Sequence, residues 1–319
     1  MEYSARVSLT PEESIDDLLD VLDLTFKGKT EIRVASTEGV VEDLRDSEGE
    51  VFEGRSQPMP SGRVFGGQVL AQCVVAAGRT VDVNDGDGPR FIHSLHGYFL
   101  RPGNANEPIR FLVDRMRDGG SFSARRVHAV QGGRILMSLI TSFQEASDGL
   151  DHQVPMPEVT PAEQIPPDSE ALSQIDHPLA RHAASRAVEL RHVDPQLFPG
   201  NTIEVRDTQS VWMRVPRALP DDPLLHAAVL AYASDYSLLE PVLRRHGLLW
   251  GDPRLRMASL DHGMWFHRPA ARVDDWVLYT QQSPSAQGGR GLGLGHMFAA
   301  DGTLLATVGQ EGMVRVKGS

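Results

Sequence analysis

Apolar positions along the chain change their period in the same order twice. Residues 64–81, VFGGQVLAQCVVAAGRTV, place Val69, Leu70, Cys73, Val74, Val75, Ala76 and Ala77 nearly all the way round a helical projection. A helix apolar on every side has to be enclosed by protein. Its small residues, Gly66, Gly67, Ala71, Ala76, Ala77 and Gly78, let other backbone come close. The period then becomes two, and residues 94–100, 109–116, 123–130 and 135–143 predict strands. Turn formers separate them: Arg101-Pro102-Gly103, Asp118-Gly119-Gly120 and Gln131-Gly132-Gly133. The second half repeats this order. Residues 224–243, LLHAAVLAYASDYSLLEPVL, predict another mostly apolar helix, followed by strands at 257–266, 276–282, 291–299 and 303–310.

Landmarks recur with the elements. Arg101-Pro102 corresponds to Arg268-Pro269, Phe99 to Phe266, Gln131-Gly132-Gly133 to Asp301-Gly302, and Phe143-Gln144-Glu145 to Gly309-Gln310-Glu311. Pro102 precedes Gln144 by 42 positions and Pro269 precedes Gln310 by 41. Landmarks in one order at nearly one spacing indicate an internal duplication. The expected architecture is α+β, with a long central helix wrapped by a curved antiparallel sheet in each half. Residues 1–145 form the first unit with an N-terminal arm, 146–200 a linker rich in Pro and acid (VPMPEVTPAEQIPPDSE), and 201–319 the second unit. A helix is expected at 14–22, strand pieces and loops at 38–57, and a short peripheral helix within 171–190.

Composition narrows the function. The 319 residues carry 31 Lys+Arg against 43 Asp+Glu, a net charge of −12. That balance argues against a nucleic-acid binder, which needs clustered cations to displace counterions, and against docking on anionic lipid. No apolar run reaches the roughly 18 to 20 residues of a membrane span, and the acidic N-terminus lacks the order of a secretory signal. A soluble cytoplasmic protein is expected. The lone Cys73 excludes an intramolecular disulfide and reads as a small core residue. GGRGLGLG at 288–295 lies among strands with no helix after it, so it is neither a dinucleotide loop nor a P-loop. No Gly-x-Ser-x-Gly elbow occurs. His93 with His96, and His262 with His267, are odd-spaced on predicted strands and should face opposite ways, so no metal site is expected.

Other residues carry two readings. Asp235 lies in an apolar helical stretch, where desolvation would raise its pKa toward that of a useful base. On the residues alone, an acid on the polar face of an ordinary helix is the favoured alternative. Ser259 and Gln310 likewise read as strand residues satisfying local backbone. Gly66-Gly67-Gln68 opens the first buried helix, where free N–H groups could meet an oxyanion or a phosphate; tight packing explains the glycines equally well. Arg101, Arg125, Arg126, Arg268 and Arg290 are candidate phosphate contacts. Arg125 and Arg126 should point to opposite faces of a strand.

The stretches VFGGQV, HSLHGYFLRPG, RDGGSFSARRV, AYASD, SLDHGMWFHRP and GQEGMVR lie across both halves. Through them, residues 62–145 and 211–317 resemble the acyl-CoA thioesterase II family, which has a double hot-dog fold. The resemblance implies hydrolysis of medium- to long-chain acyl-CoA to free fatty acid and CoA, without metal, cofactor or covalent enzyme intermediate. It implies that a water is held by Asp235, Ser259 and Gln310, Ser standing where Thr is commoner. The first helix has no acid matching Asp235, so the first half is expected to be catalytically silent. Association into a homo-oligomer, a dimer or tetramer, is also expected. An enoyl-CoA hydratase or dehydratase on the same fold ranks lower, because no His closely follows Asp235. A non-catalytic acyl-CoA-binding module is the third reading.

Overall fold

The computed structural model describes residues 9–32, 35–36, 39–40, 47–81, 88–198, 201–269 and 271–318. The first half contains α1 (Pro11–Leu22), β1 (Thr25–Ile32), the short pair β2 (Ala35–Ser36) and β3 (Gly39–Val40), and β4 (Ser47–Gly54). Then come α2 (Gly66–Gly78), β5 (Arg90–Phe99), β6 (Ile109–Asp118), β7 (Phe122–Gln131) and β8 (Arg134–Glu145). Residues 38 and 41–46 of the expected 38–57 stretch lie outside the described residues; the rest holds β3, β4 and the segment that follows it. Next are α3 (Asp168–Leu172), α4 (Pro178–Ala184), β9 (Glu189–His192), β10 (Thr208–Arg214), α5 (Pro223–Ser234) and α6 (Glu240–Arg245). The chain closes with β11 (Leu255–Ser259), β12 (Asp261–Phe266), β13 (Val277–Gln287), β14 (Arg290–Ala299) and β15 (Leu304–Val316).

The duplication is visible in the topology. Outward from a central seam one half runs β5-β8-β7-β6-β4-β1 and the other β12-β15-β14-β13-β10-β9, so equivalent strands occupy equivalent places. The seam is the antiparallel pairing of β5 with β12, from Asp261 opposite Tyr98 to Trp265 opposite Ser94. Both half-sheets turn an apolar face inward, with Leu95, Phe111, Val127 and Leu139 on one side and Val211, Tyr279, Met297 and Val308 on the other, all wholly buried. Helices α2 and α5 pack against each other inside. Every residue of α2 from Gly67 to Ala77 is buried, as its all-round apolar pattern requires. Burying each Val, Leu or Phe contributes about 1.5–3 kcal/mol, so this shared core dominates the stability of both halves.

Three local features depart from the regular pattern. The expected helix at 224–243 is two helices, α5 and α6, joined by a turn at 235–239. A continuous helix would need an N–H on Pro241 to donate to Ser237, and proline has none. The expected strand at 257–266 breaks at Leu260 into β11 and β12, both paired with β15. The expected linker carries β9, which pairs with β10 at the outer edge of the second half-sheet.

The turn at 235–239 is held from beneath by buried polar groups. Gln281 Nε2 donates to Ser237 Oγ at 2.7 Å, and Gln209 Nε2 donates to Glu240 Oε2 at 2.9 Å. Trp250 Nε1 donates to the other Glu240 oxygen at 2.7 Å. His192 bridges Glu240, at 3.0 Å, and Asp168 at the start of α3. Burial alone would lower the His192 pKa, but the two carboxylates outweigh it and raise it to about 10.

Because the His192 pKa is raised on folding, its stabilising effect is complete below its unfolded value near 6.5 and is lost as pH climbs toward about 10. His192→Leu should therefore destabilise by about 3–5 kcal/mol at pH 7, since it leaves two buried carboxylates without their shared cation. Urea denaturation of wild type and variant checks this; the gap should narrow at pH 10.

Candidate active site

Asp235 is the residue at which α5 ends, with φ −86° and ψ −3°. It therefore lies at a helix terminus rather than inside a helix, and its carboxylate projects toward the first half of the chain. There it meets the N-terminus of α2, whose N-cap, Phe65, supplies no side-chain hydrogen bond. The Gly67 backbone N–H faces the Asp235 carboxylate instead and acts to hold its pKa down. The unsatisfied amide end of a buried helix and the acid that completes it thus come from opposite halves.

The glycines at this contact have no room for a side chain. A Cβ on Gly66 would lie 2.6 Å from Asp235 Oδ2, and one on Gly67 would lie 2.3 Å from the Tyr232 carbonyl oxygen. The same logic explains GGRGLGLG, whose strand placement holds. A Cβ on Gly293 would lie 2.2 Å from the Leu238 carbonyl oxygen, so this bare stretch of β14 is the seat on which the Asp235 turn rests.

On the second-half side, Gln310 Nε2 donates to Asp235 Oδ1 at 2.9 Å and to Ser259 Oγ at 2.6 Å. The Ser259 hydroxyl donates to Asp235 Oδ1 across a longer 3.4 Å. The three residues that the resemblance singled out are therefore one connected cluster, drawn from α5, β11 and β15. Gln310 is 2% exposed, while Asp235 and Ser259 keep a partial opening. Val64, Phe65, Phe99 and Tyr236 are partly buried apolar side chains against the shared hydrophobic core; the Phe99 ring also abuts Gly66, and Phe65 stacks on Tyr236, the residue after Asp235. Burial pushes the Asp235 pKa up to about 6, against donors from Gln310, Gly67 and Ser259 that pull the other way. A carboxylate so placed is ionised at neutral pH and is still basic enough to accept a proton from water.

Behind Gln310 stands His262, 1% exposed. Its Nδ1 is 2.6 Å from Gln310 Oε1 and its Nε2 is 2.9 Å from Ser234 Oγ. Strict alternation from Ser259 would put His262 on the opposite face. The break at Leu260, where the Leu260 N–H donates to the Glu311 carbonyl, brings both residues to the inner face around Gln310. His262 bonds to Gln310, not to Asp235, and no pattern in the sequence singles it out, because the break at Leu260 is imposed by pairing with β15.

The remaining candidates separate. Gln68 is buried and accepts from the Gln57 N–H at 2.9 Å, so its side chain ties α2 to the segment after β4. Arg125 points inward and Arg126 outward, as alternation predicts. Arg125 is wholly buried, however, donating to Thr80 Oγ1, the Thr80 carbonyl and Asp118. Its guanidinium is spent on internal partners, which corrects the expectation that it could receive a phosphate. Arg268 pairs with Asp151 and Arg290 with Glu311. Arg101 donates to the Ile135 carbonyl at the surface. Arg126 pairs with Asp114, and none of the five is bonded to the Asp235 cluster. A cleft of about 510 Å³ lined by Thr160, Asp194, Arg206 and Gln209 does not include Asp235.

Comparison with known proteins gives concordant results. A family model described as acyl-CoA thioesterase matches residues 180–313, and one described as acyl-CoA thioesterase N-terminal domain matches residues 55–144. Human acyl-coenzyme A thioesterase 8 is 39% identical over 285 residues, which cover 84% of this chain and 85% of that protein. The crystal structure of acyl-CoA thioesterase II TesB2 from Mycobacterium marinum is 38% identical, with a TM-score of 0.71, over 94% of this chain and 99% of that one. A hot-dog-fold protein of unknown function from Alicyclobacillus acidocaldarius superposes with a TM-score of 0.68 at 18% identity, over 94% of this chain and 98% of that one, and speaks to the fold alone. The architecture is a double hot dog, and the chain belongs to the acyl-CoA thioesterase family.

Proposed function

We propose that the protein hydrolyses medium- to long-chain acyl-CoA by direct attack of a water held at Asp235, Ser259 and Gln310. The observation that carries this reading is the Asp235 carboxylate itself: buried against Gly66 and Gly67 of the first half, bonded to Gln310 and Ser259 of the second, and raised by desolvation to a pKa of about 6. A water beside Asp235 gives up a proton to the carboxylate as its oxygen bonds to the thioester carbonyl carbon. The first-turn amides of α2 other than the Gly67 N–H are the natural donors to the developing oxyanion. When the tetrahedral intermediate collapses, the C–S bond breaks. The proton held by Asp235 passes to the departing CoA sulfur, giving CoA thiol and free fatty acid. Val64, Phe65, Phe99 and Tyr236 supply apolar surface for the acyl chain at the mouth of the site.

The first half serves this chemistry through α2 and contributes no acid of its own. The absence of any helix long and apolar enough to cross a membrane, among the described residues, is compatible with the cytoplasmic location we assign. Exposed Tyr98, Ile140 and Trp265 on the outer face of the seam support association into a homo-oligomer.

Release of free CoA thiol from a saturated acyl-CoA series tests the assignment. Asp235→Asn and Gln310→Ala should each lower kcat by about 10²- to 10⁴-fold with folding intact; undiminished turnover in Asp235→Asn would overturn it. Ionised Asp235 is the active form, so wild-type kcat/KM should fall about tenfold per pH unit below about 6.

The glycine contacts give a second test. Gly66→Ala should depress turnover by displacing the Asp235 carboxylate. Gly67→Ala, which strikes backbone rather than a side chain, should cost about 1–3 kcal/mol of stability. Thiol-release kinetics and thermal melts on the two variants separate these effects.

A further inference from the structure

We propose that His262 is a positioning residue that fixes the Gln310 amide with its NH2 end toward Asp235, by donating from Nδ1–H to Gln310 Oε1 and accepting at Nε2 from the Ser234 hydroxyl. The proposal rests on the reading of Asp235, Ser259 and Gln310 given above and deepens it.

The two ends of a glutamine amide are nearly identical in shape, so hydrogen-bond partners decide which end faces which way. Both N–H bonds of Gln310 are used, on Asp235 Oδ1 at 2.9 Å and on Ser259 Oγ at 2.6 Å. Its oxygen is left facing His262 Nδ1 at 2.6 Å. A carbonyl only accepts, so Nδ1 has to carry the hydrogen. In a neutral ring Nε2 is then the acceptor, and Ser234 Oγ stands 2.9 Å away to fill it. Ser234 immediately precedes Asp235, so the bonds form a closed circuit: Ser234 to His262, His262 to Gln310, Gln310 to Asp235.

The opposite arrangement conflicts with an ionised Asp235. A flipped Gln310 would set its oxygen 2.9 Å from a carboxylate oxygen, two acceptors with no proton between them. It would also need His262 Nδ1 to accept and Nε2 to donate. Ser234 can meet that demand by turning its hydroxyl to the Ala231 carbonyl, 2.8 Å away. Protonating Asp235 favours that flipped state. Without His262, the Gln310 oxygen has no donor to hold it away from the acid.

The surroundings keep the ring neutral. His262 is 1% exposed, and burial holds its pKa down at about 4, below that of Asp235. Facing it are Ser234 from α5, Gln310 from β15 and, across the seam, Gly97 of β5. No charged side chain among the described residues acts on its titration. Asp235 in turn faces Gln310, Ser259, Gly66 and Gly67 of α2, and Tyr279 of β13.

The test compares His262→Leu with His262→Asn, whose side-chain N–H can stand in for Nδ1–H. Each is assayed for thiol release from acyl-CoA across pH and checked by thermal melting. His262→Leu should lose about 10- to 100-fold in kcat, the worth of one hydrogen bond in a charged network. KM should stay within about twofold, because the substrate itself is not contacted. The acid limb should move to higher pH, because a free Gln310 can offer its oxygen to protonated Asp235. His262→Asn should recover most of kcat and return the limb toward the wild-type position. If His262→Leu does not fold, Ser234→Ala tests the far end of the circuit, with a smaller loss of kcat and a limb shift in the same direction. An unmoved limb in the folded variants, or an Asn variant as impaired as Leu, would overturn the proposal. Asp235→Asn measured alongside separates the two readings: if it stays active the water-activating site is wrong, whereas if it is inactive and the His262 variants behave as wild type, only the role of His262 is wrong.

Discussion

The structure turns on one contact, the carboxylate of Asp235 against the open amide end of α2. Each partner is unfavourable alone. A buried helix start without a side-chain cap leaves N–H groups unsatisfied, and an ionised acid removed from water is costly. Together they offset one another, and incompletely: the Asp235 pKa is still raised to about 6 by desolvation. That residual imbalance is what makes the group a base at neutral pH instead of an inert ion pair.

Much of the second half can be understood as holding that contact in place. Gly293 leaves β14 bare so that the turn after Asp235 can lie against the sheet, and Gly66 and Gly67 let the two halves meet without intervening side chains. Gln209, Gln281 and Glu240 anchor the turn from below, and His192 ties it to the segment between the halves. Cations are used sparingly near the acid. Gln310 and Ser259 stabilise it with neutral donors, which keep it anionic without driving its pKa far down. A direct Arg or Lys partner would have made Asp235 a weaker base.

The architecture was largely legible because it is written in period. An all-round apolar helix followed by alternating strands, stated twice, leads to two wrapped helices, and α2, β5 to β8 and β12 to β15 lie close to where the pattern places them. Strands β1, β4 and β10 are harder to read: β1 and β4 are interspersed with glycine and charge, and β10 is short and follows a polar segment. The split between α5 and α6 could have been read from Pro241. The break at Leu260 could not, since it is imposed by pairing with β15. Asp235, Ser259 and Gln310 were reached through resemblance, because residues distant in sequence meet only once the fold is formed. His262 is read in the sequence only against His267 as a metal pair; its place beside Gln310 depends on the Leu260 break, which brings Ser259 and His262 to one face. For Arg125, alternation gives the face but not the Thr80 and Asp118 partners that occupy its guanidinium.

The central claim is that burial between the two halves, and not the family pattern as such, makes Asp235 a base. Its most direct test is a carboxyl-carbon NMR titration of the protein labelled at aspartate, with Asp235→Asn used to assign the resonance. A midpoint near 6 for Asp235, well above the ordinary aspartate value of about 3.9, is the predicted result. A midpoint at or below the ordinary value would mean that the donors from α2, Ser259 and Gln310 outweigh desolvation, and the account of Asp235 as the water-activating base would be contradicted.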